Sequence, residues 1–220
     1  TMLNIIAQKL ALPRKSSFNH SALFDDYVQL CKASTLRHLP DNSRIITSDD
    51  VFDYMFGVRD FNDGVDRRRE DLFAEYQHYK NTPLRLHSME DYEEFKQGLA
   101  ARRSSTTQYV RQRVTNNIRT QSNGESALHY FQIQLKPRAL YLLDEPENSL
   151  SAECQIQLAE LLYGCARFEG CQLVLATHSP FLLAIPGARI YDLDTVPVET
   201  APWTQLPNVR IYYDFFRQHQ

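Results

Sequence analysis

Glycine is scarce in this chain. There are seven in 220 residues, and none is followed by lysine. A phosphate-binding loop of the GxxxxGK[ST] kind is therefore not among these residues. No apolar run approaches the ~20 residues that span a bilayer, so a membrane helix is excluded. No charged-then-apolar leader is visible, which leaves secretion without support. Cysteine is sparse: Cys31, Cys154, Cys165 and Cys171 form no CxxC pair and lie in no zinc-like spacing with histidine. They read as reduced packing residues of a cytoplasmic protein. Neither charge sign dominates. The net charge of −3 and pI near 6.1 exclude a broad basic field that would advertise nucleic acid or an anionic membrane.

What remains is an ordinary globular balance, 43% hydrophobic and 23% charged, over a length that suits one α/β core plus an insert. Three regions differ in pattern. In "MLNIIAQKLA", Met2, Leu3, Ile6, Ala7 and Leu10 fall at helical spacing before Leu12-Pro13 stops the run. Residues 49–122 are polar and mix both charge signs at helical periods, which predicts a helical insert. Phe73, Tyr76 and Tyr79 are expected to share its apolar face. Its arginines, Arg67 to Arg69 among them, are interleaved with acids and read as a solvated helix face. The third region alternates strand and helix. "ALYLL" is an apolar run suited to a strand covered on both sides. A helix is expected from about Ala152 to Ala166, strands at 171–177 and 188–194, and a helix in the tail "NVRIYYDFFRQHQ". Strand, helix, strand at this spacing predicts a mostly parallel sheet. The α/β core is thus expected over residues 1–48 and 123–220.

Chemistry concentrates at predicted strand ends, where parallel sheets bind ligands. "LYLLDEPENSL" places Asp144, Glu145 and Glu147 just past the buried run. Burying an unpaired carboxylate costs several kcal/mol, so these acids need a metal, a proton in transit or open water. "ATHSP" puts His178 at the end of the next strand. "QSNGESA" puts Ser122, Asn123, Gly124 and Glu125 at a helix start, an amide-rich turn able to cradle an anion.

In this order and at these separations, the three stretches resemble the motifs of ABC-type ATPases. "LYLLDEPENSLS" resembles the Walker B strand and the D-loop after it. "ATHSP" resembles the switch histidine, and "SNGES" a variant of the LSGGQ signature. Ser122 lies 22 residues before Asp144, and His178 lies 33 after Glu145. The resemblance covers residues 120–195 closely and extends to residues 1–12, which resemble the helix after a phosphate loop. Small stand-alone bacterial ATPases of the AAA/ABC kind are similar. The fold this implies is a P-loop NTPase core, α/β with a parallel sheet, whose first strand and phosphate loop are missing here. The cofactors implied are ATP and Mg²⁺. By the same resemblance Asp144 would hold magnesium, Glu145 would activate water, and His178 would hydrogen-bond the γ-phosphate. Thr1 would follow the phosphate loop. Ser122, Asn123, Gly124 and Glu125 would meet a nucleotide held by a second subunit, with Ser149 and Ser151 lining the seam of an ATP-dependent homodimer.

Two departures stand out. Asn123 replaces a signature glycine, and "TSDD" at 47–50 occupies the place of a glutamine-bearing loop without a glutamine. The expected activity is ATP hydrolysis by a longer protein of which this chain is a fragment, itself inactive for want of the loop. The alternatives are a non-catalytic ATPase-like module for dimerisation or partner binding, and a metal-dependent nuclease using Asp144, Glu145 and Glu147 directly. The further partner, protein or DNA, is left open.

Overall fold

The computed structural model describes residues 2–16, 22–34, 38–83, 91–116, 118 and 122–219, with residues 22 and 23 described in backbone only. The residues fall into two compact units, Thr1–Met55 with Thr120–Gln220, and Phe56–Arg119.

The first unit is α/β. It opens with α1 (Met2–Lys9) and α2 (Ala22–Leu30), then enters β1 (Arg44–Thr47) and the start of α3 (Ser48–Asn81). α3 continues in the second unit, where α4 (Tyr92–Arg103) and α5 (Thr106–Arg111) follow. The first unit resumes with α6 (Asn123–Gln134), β2 (Leu140–Asp144), α7 (Ala152–Phe168), β3 (Gln172–Ala176) and α8 (Pro180–Leu183). A two-residue ribbon, β4 (Tyr191–Asp192) with β5 (Glu199–Thr200), and α9 (Pro207–Gln218) complete it.

The sheet is parallel and ordered β1-β2-β3. β2 is central, and its side chains alternate between two apolar layers. Tyr141 and Leu143 pack with Ala127, Phe131, Leu158 and Leu162 from α6 and α7. Leu140 and Leu142 face Leu3 and Ala7 of α1. This two-sided burial explains why the run 139–143 is apolar without alternation. β3 stands at the sheet's edge, and its residues 173–176 are only partly buried.

Two expectations are corrected. The strand at 188–194 shrinks to Tyr191–Asp192, which pairs antiparallel with β5 and takes no place in the main sheet. Its Tyr191 and Leu193 are exposed, and its Ile190 is only partly buried. In the insert, Tyr76 and Tyr79 lie on the apolar seam as expected, but Phe73 does not. Leu72 and Tyr76, four apart, are buried with Ala101 and Tyr109, whereas Phe73 is 51% exposed. An i,i+4 step stays closer to the 3.6-residue period than a repeated step of three. The tail is helical as expected.

Leu142 is fully buried between sheet and α1. Leu142→Ala is expected to cost about 2–5 kcal/mol in urea unfolding. Phe73→Ala, on an exposed face, is expected to cost under about 1 kcal/mol in the same assay.

Candidate functional site

The register sets Thr47, Asp144 and Ala176 level across the three strands. Their carboxyl ends therefore form one rim, and the segments after each strand are neighbours there. Asp144 is the last residue of β2 and half-buried. Among the described residues its carboxylate accepts no hydrogen bond. Burial raises its pKa above the ordinary carboxylate value, and the negative charge of Glu145 raises it further, while Arg14 pulls the other way. It is a hard oxygen donor held at a rim with no hydrogen-bond partner among the described residues.

Glu145 leaves the strand with φ of 47°, in the left-handed region that non-glycine residues seldom occupy. Its N–H donates to the Ala176 carbonyl at 2.9 Å, so the ladder to β3 continues one residue past the strand. Its side chain points to solvent, 48% exposed. One oxygen accepts from Asn148 Nδ2 at 3.0 Å, and the other lies 3.9 Å from His178 Nε2. That gap is too long for a hydrogen bond, so both groups keep capacity for a third. The His178 ring is 84% exposed, but its backbone is held. Its N–H donates to Glu147 Oε1 at 2.7 Å, and its carbonyl accepts from Asn208 Nδ2 of α9 at 3.2 Å.

Glu147 is thus placed differently from its two acidic neighbours. Oε1 accepts from the N–H groups of both His178 and Ser179, the second at 3.1 Å. Gln155 on α7 adds a second tie. It donates to the Leu150 carbonyl at 2.9 Å and accepts from Ser179 Oγ at 2.7 Å. Sequence reasoning assigned no such part to Glu147, Gln155 or Asn208. With its oxygen engaged by amides, Glu147 is poorly placed to join Asp144 and Glu145 in a carboxylate metal cage. No group of three or more His, Cys, Asp or Glu side chains among the described residues is placed to hold a metal ion. Magnesium, which keeps several waters and takes one or two protein carboxylates beside phosphate oxygens, does not need such a cage. Asp144 fits that pattern.

The signature-like turn caps α6. Ser122 Oγ accepts from the Glu125 N–H at 3.2 Å, and its own hydrogen remains for an outside acceptor. Ser122, Asn123 and Glu125 are exposed, whereas Gly124 is buried against α7. A Cβ on Gly124 would lie 2.9 Å from Cys154 Sγ and 3.9 Å from the Ser151 nitrogen. The close approach of α6 to α7 thus requires glycine here, and it brings the turn beside Ser151. Ser151 caps α7 through the Cys154 N–H at 3.3 Å, and Ser149, with φ of 65°, precedes it on the exposed loop. Thr1 lies outside the described residues.

"TSDD" has a local explanation. Asp50 Oδ2 accepts from the Thr47 N–H at 2.9 Å and from the Thr47 hydroxyl at 3.1 Å, the carboxylate half of a capping box at the start of α3. Thr47 is already a donor to Asp50, so Ser16 donates to Thr47 at 2.9 Å. The T-x-x-D spacing carried this signal in the sequence. Asp50 is 1% exposed, and its second oxygen has no hydrogen-bond partner.

Residues 10–184 match the family model described as AAA domain, putative AbiEii toxin, Type IV TA system. The chain belongs to this family. Membership carries a P-loop NTPase-like domain and with it a nucleotide-binding, ATPase-like function. Comparison with curated proteins and with solved structures gave no match. No helix among the described residues of this AAA-domain protein is long and apolar enough to cross a membrane.

Two outcomes follow from the packing and charge of the site. A raised folded-state pKa means that the folded protein binds the Asp144 proton more tightly than the unfolded chain does. Stability from this group therefore falls as pH rises from the ordinary carboxylate value through the raised one. Asp144→Asn should stabilise the ligand-free protein at pH 7, with the gain vanishing below about pH 4 in thermal melts. Gly124→Ala should destabilise by about 1–3 kcal/mol through overpacking. In a Cys154→Ala background the same change should cost little, a coupling that a double-mutant cycle measures.

Proposed function

We propose that this chain carries the hydrolytic half of an ABC-type ATPase site that closes around Mg-ATP in a homodimer. The observation that supports this reading best is one grouping at the sheet rim. Unpartnered, half-buried Asp144 is followed by Glu145 in a left-handed conformation, and His178 Nε2 lies 3.9 Å from the Glu145 carboxylate. A plain helix-capping role would call for neither the exposed glutamate–histidine pair nor a carboxylate without hydrogen bonds.

In this reading Asp144 holds magnesium, directly or through water. Bound there, the ion supplies charge neutralisation for phosphoryl transfer. Glu145 accepts a proton from the attacking water and orients it, acting as general base. His178 donates a hydrogen bond to a γ-phosphate oxygen from Nε2. The Ser122 hydroxyl and the amide-rich turn through Asn123, Gly124 and Glu125 face the nucleotide of the second subunit, and Ser149 and Ser151 lie along the seam. The packing of Gly124 beside Ser151 supports one continuous surface for these residues. Thr1 would follow the phosphate loop and contact the α-phosphate. The reading also needs a phosphate-binding loop, which these residues do not supply. Its strand would pair with the outer edge of β3, one of the two sheet edges left without a partner strand among the described residues. We place the protein in the cytoplasm, with its further partner, protein or DNA, unassigned.

The test uses the full-length protein. Glu145→Gln should keep Mg-ATP binding, lose hydrolysis by about 100-fold or more, and elute as a dimer in gel filtration only when Mg-ATP is present. Equal turnover by the variant and the parent, with an elution volume indifferent to nucleotide, would overturn the reading. It would favour a non-catalytic ATPase-like module.

A further inference from the structure

Glu147 is the third acid of the "DEPEN" run, and its surroundings assign it a task separate from its neighbours'. It is partly buried. Oε1 accepts from the N–H groups of His178 and Ser179, at 2.7 and 3.1 Å. Oε2 is buried with no hydrogen-bond partner among the described residues. A carboxylate in this state is costly, because a buried polar atom without a partner loses its hydration and gains nothing. The two amide bonds to the charged oxygen offset that cost. The Ser179 N–H is shared with Thr177 Oγ1 at 3.0 Å, which orients the same turn from inside. Gln155 joins the Leu150 carbonyl to Ser179 Oγ, and so ties the far end of the 145–151 loop to the same turn.

We propose that Glu147 is a positioning residue for His178. It clamps the amides of residues 178 and 179, so that the loop carrying Glu145 and Ser149 and the turn carrying His178 move as one piece. The proposal rests on the phosphate-handling role given above to Glu145 and His178, and it deepens that role. Among the described residues the exposed ring of His178 makes no hydrogen bond, so its position relative to Glu145 depends on where its backbone is held. The holding group sits only two residues after Glu145. A displacement of Ser149 or Ser151 at the exposed loop is thereby carried to His178 through Glu147 and Gln155, with no intervening element. The coupling also runs in reverse, as thermodynamic linkage requires.

The experiment is amide hydrogen exchange on the ligand-free protein, followed residue by residue by NMR. A failure of the ATPase reading does not affect this measurement. In Glu147→Ala the amides of His178 and Ser179 should exchange at least tenfold faster, while the β2 amides keep their rates. Glu147→Gln retains a carbonyl acceptor and should restore protection at both amides to within about threefold of the parent. Gln155→Ala should release Ser179 more than His178. If Glu147→Ala unfolds, the Gln155→Ala pattern and the near-parental Glu147→Gln rates still decide. Unchanged exchange at both amides in a folded Glu147→Ala would overturn the clamp. So would equal loss of protection in the alanine and glutamine variants, or a uniform response to Gln155→Ala. In the full-length protein, hydrolysis by Glu147→Ala should show a lower kcat at near-constant KM. A rise in KM alone would assign Glu147 to nucleotide binding and overturn positioning. Absence of turnover in the parent protein would sink the ATPase reading, and the exchange rates would then decide the clamp alone.

Discussion

Everything at the rim depends on β2 being buried on both faces and hydrogen-bonded along both edges. A strand covered by α6 and α7 on one side and α1 on the other has no freedom to slip. A one-residue shift would exchange Tyr141 and Leu143 with Leu140 and Leu142 between layers of different shape. The pairing of Thr47, Asp144 and Ala176 is therefore fixed by packing, and the chemistry inherits its positions from that register. The Glu145 N–H bond to Ala176 extends the same ladder into the loop, so the first residue beyond the strand is still placed by the sheet.

Three acids within four positions meet three environments. Asp144 ends the strand half-buried, and burial together with the charge of Glu145 disfavours its ionised form. Glu145 turns outward, solvated, and bonded only to Asn148 among the described residues. Glu147 turns inward to backbone amides. Like charges this close repel, and the loop separates them by direction. The left-handed φ at Glu145 lies within the run and contributes to that separation, and Ser149 adopts the same region further along. Each such residue costs about 1–3 kcal/mol, and such strain persists where surrounding contacts fix the backbone. Here those contacts are the Ala176 carbonyl, the buried Pro146 and Leu150, and the amides of residues 178 and 179.

The sequence makes the parallel sheet and its rim legible because apolar runs of strand length with a helix between them leave few alternatives. "ALYLL" and "CQLVLAT" are such runs. The strand expected at 188–194 failed for the reverse reason: its apolar residues are few and interrupted, and Tyr191 and Leu193 stay exposed. Phe73 and Leu72 show the limit of reading a helix face from aromatics alone, since Leu72 takes the buried position one residue earlier. At the site, Asp144, Glu145 and His178 could be picked out because each stands at a predicted strand end. Glu147 and Gln155 could not. Their roles are hydrogen bonds to main-chain atoms of Leu150, His178 and Ser179, and the sequence holds no record of which carboxylate will meet which amide across 31 residues. Gly124 was legible as a turn residue, but its packing reason appears only when α7 lies beside it.

Under the proposed reading, the site needs two things that conflict. Its functional atoms must be exposed, and their positions must be reproducible. Side chains 145 and 178 meet the first need, since both reach solvent. Neither ring nor carboxylate is packed, so reproducibility has to come from the backbone. It comes from the Ala176 carbonyl for Glu145, and from Glu147 and Asn208 for His178. Hydrogen bonds to main chain suit this purpose better than packing, because they fix a turn without covering the side chains that project from it. They also leave the arrangement able to shift as a unit, since Glu147 and Gln155 join two loops to each other. Preorganisation of this kind places the partners before any ligand arrives.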